Sequence, residues 1–119
     1  MFEVLPETHG RRFFVKASGK LTDDDYKQLT PQLDKAIAEH GPLRMFIDME
    51  EFQGIELQAA WDDFAFGINH WNDFERVAIV GDKRWQELMV KTFDLITKGY
   101  LRYFDTADKA TARAWVEDA

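Results

Sequence analysis

The sequence predicts a single α/β domain: a mixed, mostly parallel five-stranded sheet with four main helices, in the order β-β-α-β-α-β-α-β-α. Two observations carry this expectation. Met45-Phe46-Ile47 and Val77-Ala78-Ile79-Val80 are unbroken apolar runs, the pattern of strands covered on both faces. Around them lie segments whose apolar residues recur at helical spacing, and such alternation builds parallel sheets through crossover helices. A chain of 119 residues can bury one core, so residues 1–119 are read as one domain.

Taken in order, Phe2 and Val4 flank Glu3 as in a half-exposed strand, and Arg12 to Ala17 forms a second strand after the turn residues His9-Gly10. Thr22 is placed to cap a helix with Asp25 three positions on. Tyr26, Leu29, Leu33 and Ile37 then recur at helical spacing until His40-Gly41-Pro42. Pro31 inside this pattern predicts a kink or split near Leu29-Thr30, because its ring removes a donor and crowds the preceding turn. Leu43 to Met49 is the third strand and the run at Val77 the fourth. Helices are expected from about Leu57 to Trp71 and from about Lys83 to Thr97, the latter capped by Asp82. Tyr100 to Asp105 is the last strand. Thr106 to Glu117 closes as a helix whose Ala107, Ala110 and Ala114 are expected to approach the sheet closely.

Composition narrows the function classes. The formal charge is −7, from 15 basic against 22 acidic residues, which opposes nonspecific binding to nucleic acid phosphates. With no cysteine, thiolate chemistry, disulfides and cysteine-ligated zinc are excluded. Met1-Phe2-Glu3-Val4-Leu5-Pro6 carries no basic leader, and no run approaches the roughly 20 apolar residues that span a bilayer, so a cytoplasmic location is expected. The aromatic share, 14%, assigns much of the packing to ring side chains.

Particular residues add a family resemblance. Gly19-Lys20-Leu21-Thr22 precedes the first helix, Ile47-Asp48-Met49-Glu50-Glu51-Phe52-Gln53-Gly54 follows the third strand, and Ala59-Ala60-Trp61-Asp62-Asp63 lies in the second helix. Phe74-Glu75-Arg76-Val77, Val80-Gly81-Asp82-Lys83-Arg84-Trp85, Tyr103-Phe104-Asp105 and Ala112-Arg113-Ala114-Trp115 complete the set. In order and spacing the chain resembles the SpoIIAA-like family, relatives of the STAS domains. The resemblance implies a SpoIIAA/STAS-like fold; the residues themselves offer no nucleophile with a base, so no enzyme activity and no cofactor are expected. The resemblance further implies a pocket for a small nonpolar or lipid-like ligand, helix opening, homodimer formation, and peripheral association with the inner membrane surface. Regulatory STAS domains carry a phosphorylatable serine at the start of the helix after the third strand. Here that region reads Glu51-Phe52-Gln53-Gly54-Ile55-Glu56-Leu57, and the sole serine is Ser18. A phosphoserine switch at that place is therefore excluded. Glu56 reads as an acidic first-turn residue favoured by the helix dipole, or as a fixed negative charge in the serine's stead.

The expected aromatic helices carry the candidate ligand site. Leu57, Ala60, Trp61, Phe64, Ile68 and Trp71 share one helical stripe, whereas Phe66 falls roughly 180° from its centre. In the next helix Trp85, Leu88, Met89 and Ile96 face inward, and Val90, Phe93 and Leu95 widen the apolar arc. One reading is a cleft lined by Trp61, Phe64, Ile68, Trp85, Met89 and Phe93 and closed when empty. The other is a packed aromatic core under a dimer patch. Exposing four such side chains costs about 6–12 kcal/mol, comparable to the whole stability of a small domain, about 5–15 kcal/mol. An open form therefore needs lipid, ligand or a second subunit to cover it. Phe66, Val90, Arg84 and Lys91 are the candidate membrane or dimer contacts. Arg84, Lys91 and Lys98 recur every seven residues, although Glu87–Lys91 and Asp94–Lys98 also have the spacing of solvated ion pairs.

The remaining polar groups form weaker constellations. Asp48, Glu50 and Glu51 fall at the expected carboxyl end of a central strand, where parallel sheets place ligand crevices. Oxygen ligands there suit a hard cation, but no phosphate-cradling glycine loop accompanies them and no metal is expected. Asp62 and Asp63 point apart on their helix, and His9, His40 and His70 share no ligand spacing. Gly81-Asp82-Lys83 reads as a helix cap. Besides ligand binding, a STAS-like protein-interaction module without a phosphoserine switch is the second functional reading.

Overall fold

In the computed structural model, residues 1–55, 73–81 and 101–118 are described. Five strands form one sheet in the order β1-β2-β3-β4-β5. These are β1 (Phe2–Val4), β2 (Arg12–Leu21), β3 (Leu43–Ile55), β4 (Phe74–Val80) and β5 (Leu101–Phe104). β1 is antiparallel to β2, and every other neighbouring pair is parallel. The sheet is therefore mixed and mostly parallel, as the sequence predicts. Two α-helices are described, α1 (Asp23–His40) and α2 (Lys109–Glu117). The expected helices at Leu57–Trp71 and Lys83–Thr97 lie outside the described residues.

The opening hairpin is built by local hydrogen bonds. Gly10 takes φ 56, a left-handed value that suits a residue without Cβ, and His9 bridges Arg12 across it. Thr8 Oγ1 both donates to Phe14 O (3.0 Å) and accepts from Phe14 N (2.9 Å), closing the loop onto β2.

α1 begins as its sequence dictates. Thr22 Oγ1 accepts from Asp25 N (3.2 Å) while Asp25 Oδ2 accepts from Thr22 N (2.8 Å), a complete capping box. Asp23, Asp24 and Asp25 place negative charge in the first turn, where the helix dipole favours it. Gly41, at φ 76, ends the helix and donates to Ile37 O. Pro31 does not split it: the helix is continuous through the proline. Pro31 is solvent-exposed, so the backbone carbonyl deprived of its donor is on the wet side and hydrates.

The two sheet faces hold separate cores. Phe13, Val15, Leu43, Met45 and Val77 pack with Leu29 and Leu33 of α1. Phe14, Phe46, Ala78, Val80 and Phe104 pack with Ala112 and Val116 of α2. The period-two alternation of strand side chains thus sorts each apolar run between two layers. Val15, Phe46, Ala78 and Val80 are 0% exposed. A third cluster, Ala17, Leu21 and Phe52, fills the carboxyl end of β2 and β3.

Two sequence expectations need correction. Ala107, Ala110 and Ala114 are exposed, and the face of α2 against the sheet carries Ala112 and Val116. Residues two apart on a helix sit about 200° apart, so the alternatives were opposite faces, and only the one with Val116 adds branched apolar area to the core. β3 does not end at Met49 but runs to Ile55. Glu50 and Glu51 do not stop it, because both find lysine partners and Phe52 beyond them is buried.

Candidate functional site

Two polar constellations flank α2, one at each end. At the carboxyl side of the sheet, β3 carries extra residues relative to β2: Lys16 pairs with Asp48, but Ser18 pairs with Glu51. Such a bulge takes a backbone N–H out of the ladder, and Asp48 Oδ1 accepts the one at Glu50 (3.0 Å). Asp48 is 7% exposed and would be costly there without a counter-ion. Lys109, the first residue of α2, supplies it, with Nζ 3.2 Å from Asp48 Oδ2 and 2.8 Å from Glu50 Oε1. The preceding 3-10 turn, Thr106–Asp108, positions Lys109, and Asp105 caps that turn by accepting from Ala107 N (3.2 Å). Glu51 pairs separately with Lys16 at 2.8 Å.

Asp48, Glu50 and Glu51 therefore lie within β3 rather than at its end, and each has a lysine. The hydrogen bond to Glu50 holds the Lys109 ammonium above its ordinary pKa, against the opposing effect of burial and with Asp48 adding to it. A lysine kept protonated in this way is the reverse of a nucleophilic or basic one, which needs a lowered pKa. Among the described residues, no group of three or more His, Cys, Asp or Glu is placed to hold a metal ion.

The other constellation was not anticipated. Arg12, Arg44 and Arg76 stand side by side on β2, β3 and β4, in register with one another. All three point at the C-terminal end of α2. Arg12 Nη2 donates to Glu117 O (3.1 Å), Arg44 Nη1 to Val116 O (3.5 Å) and Arg76 Nη1 to Trp115 O (2.7 Å). The last carbonyls of a helix lack intrahelical donors and carry the negative end of its dipole, so three guanidinium groups meet them with matched charge and geometry. Arg44, 3% exposed, is also forked onto Glu75, with Nε–Oε2 at 3.1 Å and Nη2–Oε1 at 3.3 Å. Arg11 shares Glu75 at 3.4 Å. The Arg44 hydrogen bond holds the Glu75 carboxyl below the ordinary range despite opposing burial, and the charges of Arg44, Arg11 and Arg76 lower it further. A signal for this ladder was present in the sequence: each arginine directly precedes an apolar run, as Arg12-Phe13-Phe14, Arg44-Met45-Phe46 and Arg76-Val77-Ala78.

Trp115 links this end to the surface. Its ring lies 5.8 Å from that of Phe104, and the guanidinium carbons of Arg76 and Arg102 sit 5.4 Å and 5.3 Å from its centroid. Arg102 also covers Phe104 at 5.2 Å. A shallow depression of about 610 Å³, lined by Thr111, Ala114, Trp115, Glu117 and Asp118, adjoins the indole.

The expected ligand-lining residues Trp61, Phe64, Ile68, Trp85, Met89 and Phe93 lie outside the described residues, as do Phe66, Val90, Arg84, Lys91 and Glu56. The described histidines stay apart from one another in role: His9 contacts Glu7 O and Glu117, and His40 neighbours Glu39 at the end of α1. Ser18 lies inside β2, its carbonyl accepting from the Met1 ammonium at 2.7 Å. No described helix is long and apolar enough to cross a membrane.

Strand order, the single antiparallel edge and helices on both faces define a mixed α/β domain of the SpoIIAA type. The SpoIIAA-like family model matches residues 12–117, and the chain belongs to that family. It is similar to an uncharacterized protein of the DUF3478 family with a SpoIIAA-like fold from Shewanella loihica PV-4. The two are 35% identical, with a TM-score of 0.82 over 97% of this chain and 93% of that one. It also shares its fold with the anti-sigma factor antagonist SpoIIAA in its unphosphorylated form, at 12% identity and a TM-score of 0.62 over 97% of this chain and 98% of that one. No curated protein matches the chain.

Proposed function

We propose that this domain is a non-enzymatic interaction module that acts through a fixed surface, without a phosphoserine switch. The observation that carries this reading is the division between interior and rim. The described core clusters on the two sheet faces are built from buried apolar side chains, while Trp115, Arg76 and Arg102 form an organised aromatic and cationic corner at the surface. Aromatic and arginine side chains are the groups most enriched at protein interfaces. The fold shared with an anti-sigma factor antagonist supports the same reading. Quantitative mass spectrometry of material captured from the native host on the tagged chain tests it. A partner enriched stoichiometrically is expected, and failure to enrich any protein over a tag-only control overturns the reading.

A second reading keeps the nonpolar ligand, supported by the surplus apolar residues that the sequence places at 57–71 and 83–97. In it, Trp61, Phe64, Ile68, Trp85, Met89 and Phe93 line the ligand, a homodimer or a peripheral membrane surface covers Phe66 and Val90, and Arg84 and Lys91 approach headgroups. Native mass spectrometry of freshly purified protein decides it: a co-purifying apolar mass lost in Trp61→Ala supports it, and a clean apo mass unresponsive to fatty acids and liposomes rejects it.

A further inference from the structure

We propose that the Trp115 corner, where α2 meets β4 and β5, docks a short peptide segment of a partner protein in which a run of carboxylates is followed by an aromatic residue. This rests on the interaction reading and names its surface and the chemistry of its occupant. Arg76 and Arg102 take the carboxylates; the partly exposed Trp115 ring takes the aromatic side chain, Phe104 behind it being buried.

The cations of this corner differ from their neighbours. Arg11 and Arg44 meet Glu75, Arg12 meets Glu117, and Arg113 meets Glu7. Among the described residues, neither Arg76 nor Arg102 forms an ion pair with a carboxylate: Arg76 gives one bond to Trp115 O and acts on Glu75 only through its charge, and Arg102 lies over rings alone. A guanidinium has five N–H donors in a planar fork. Stacking on a ring fixes the plane and leaves the edge for a bidentate carboxylate. Arg102 is exposed, and in a chain of charge −7 its uncompensated charge is a local exception. Screening within about 8 Å at physiological salt lets that local charge govern close contact.

The surroundings select the occupant. The depression beside Trp115 is lined by Glu117 and Asp118 as well as by the indole, so a segment with acids on both sides of its ring is repelled there, whereas one with its acids on one side only, toward Arg102 of β5, is accommodated. Docking of anionic lipid uses clusters of about 4–8 basic residues, and among the described residues this corner offers two, Arg76 and Arg102.

Titration of the ¹⁵N-labelled chain with an acetylated, amidated Asp-Glu-Asp-Phe-Ser peptide, whose acids lie on one side of its ring, followed by NMR, tests this. Saturable shifts are expected at the Trp115 indole N–H and the Arg102 Nε–H. Affinity should fall about two- to fivefold in Arg102→Gln, the range of a single exposed ion pair, and further in Arg76→Gln/Arg102→Gln. Arg102→Lys, which keeps charge without the fork, should fall between. Absence of shifts at Trp115 overturns the proposal. So does equal binding of the peptide with alanine for phenylalanine, equal affinity for acetate or inorganic phosphate, or tighter perturbation of the same resonances by phosphatidylglycerol vesicles. Host capture separates the two layers of the argument. A partner retained undiminished by the Arg76→Gln/Arg102→Gln chain defeats this surface while the interaction reading stands, and capture by neither chain defeats both.

Discussion

Lys109 joins two elements through one charge. It closes α2 onto the bulge of β3 by pairing with Asp48 and Glu50. Replacing it with methionine leaves the nearly buried Asp48 carboxylate without a cation. Lys109→Met is expected to lose about 2 kcal/mol, between the cost of an unsatisfied polar group and that of a fully buried broken pair. The urea midpoint measures this, and a loss indistinguishable from zero would show that water replaces the ammonium at no cost. Asp48→Asn in the Lys109→Met background should recover part of the loss, because the neutral amide no longer demands a counter-charge. The folded-state pKa of Lys109 lies above the ordinary 10.5. Its contribution is thus fully present below that value and disappears only as pH rises through the folded one, so neutral solution retains all of it.

At the scale of elements, α1 and α2 show what local sequence can and cannot specify. The capping box of Thr22 and Asp25 is three residues long and was legible, as was the stop at Gly41. The continuity of α1 through Pro31 was not, because the outcome depends on whether the orphaned carbonyl faces water, which tertiary packing decides. Pro31→Ala should therefore stabilise the fold by about 2 kcal/mol: alanine is about 3 kcal/mol better in a helix interior, less the entropy that proline removes from the unfolded chain. An unchanged thermal midpoint would contradict this. The arginine ladder shows in the sequence only as an arginine ahead of each apolar run, and its assembly does not. Its partners are remote, with Arg12 and Glu117 separated by 105 positions and Arg44 and Val116 by 72, and spacing along a chain says nothing of register between strands. Arg44→Lys is expected to cost about 3 kcal/mol despite conserving charge, since an ammonium cannot fork onto Glu75 and reach Val116 O together. Stability within error of the parent in chemical denaturation would refute the role given to the fork.

For the molecule as a whole, the mixed, mostly parallel sheet was readable because apolar runs and helical periods are properties of short windows, whereas the order of strands across the sheet is a property of no window. The candidate ligand residues from Trp61 to Phe93 fall outside the described residues, so the sequence remains their sole support. Acid should weaken the fold in a defined way. Burial works against the Asp25 carboxylate, but hydrogen bonds from Thr22 and the Met1 ammonium outweigh it and hold its pKa below the ordinary 3.8. Arg44 does the same for Glu75 below 4.5. Both contributions are present above those ordinary values and fall away as pH drops through the lower folded ones. Stability followed from pH 7 downward should hold to about pH 5 on this account and then decline, with a shallower decline in Glu75→Gln. The row of guanidinium groups under α2 has one more implication. Sliding any one of three parallel strands by a single residue would swing its arginine to the opposite face, leaving a carbonyl of the final turn bare. Seating that helix thus verifies strand alignment at three places at once, and a misthreaded sheet forfeits its lid.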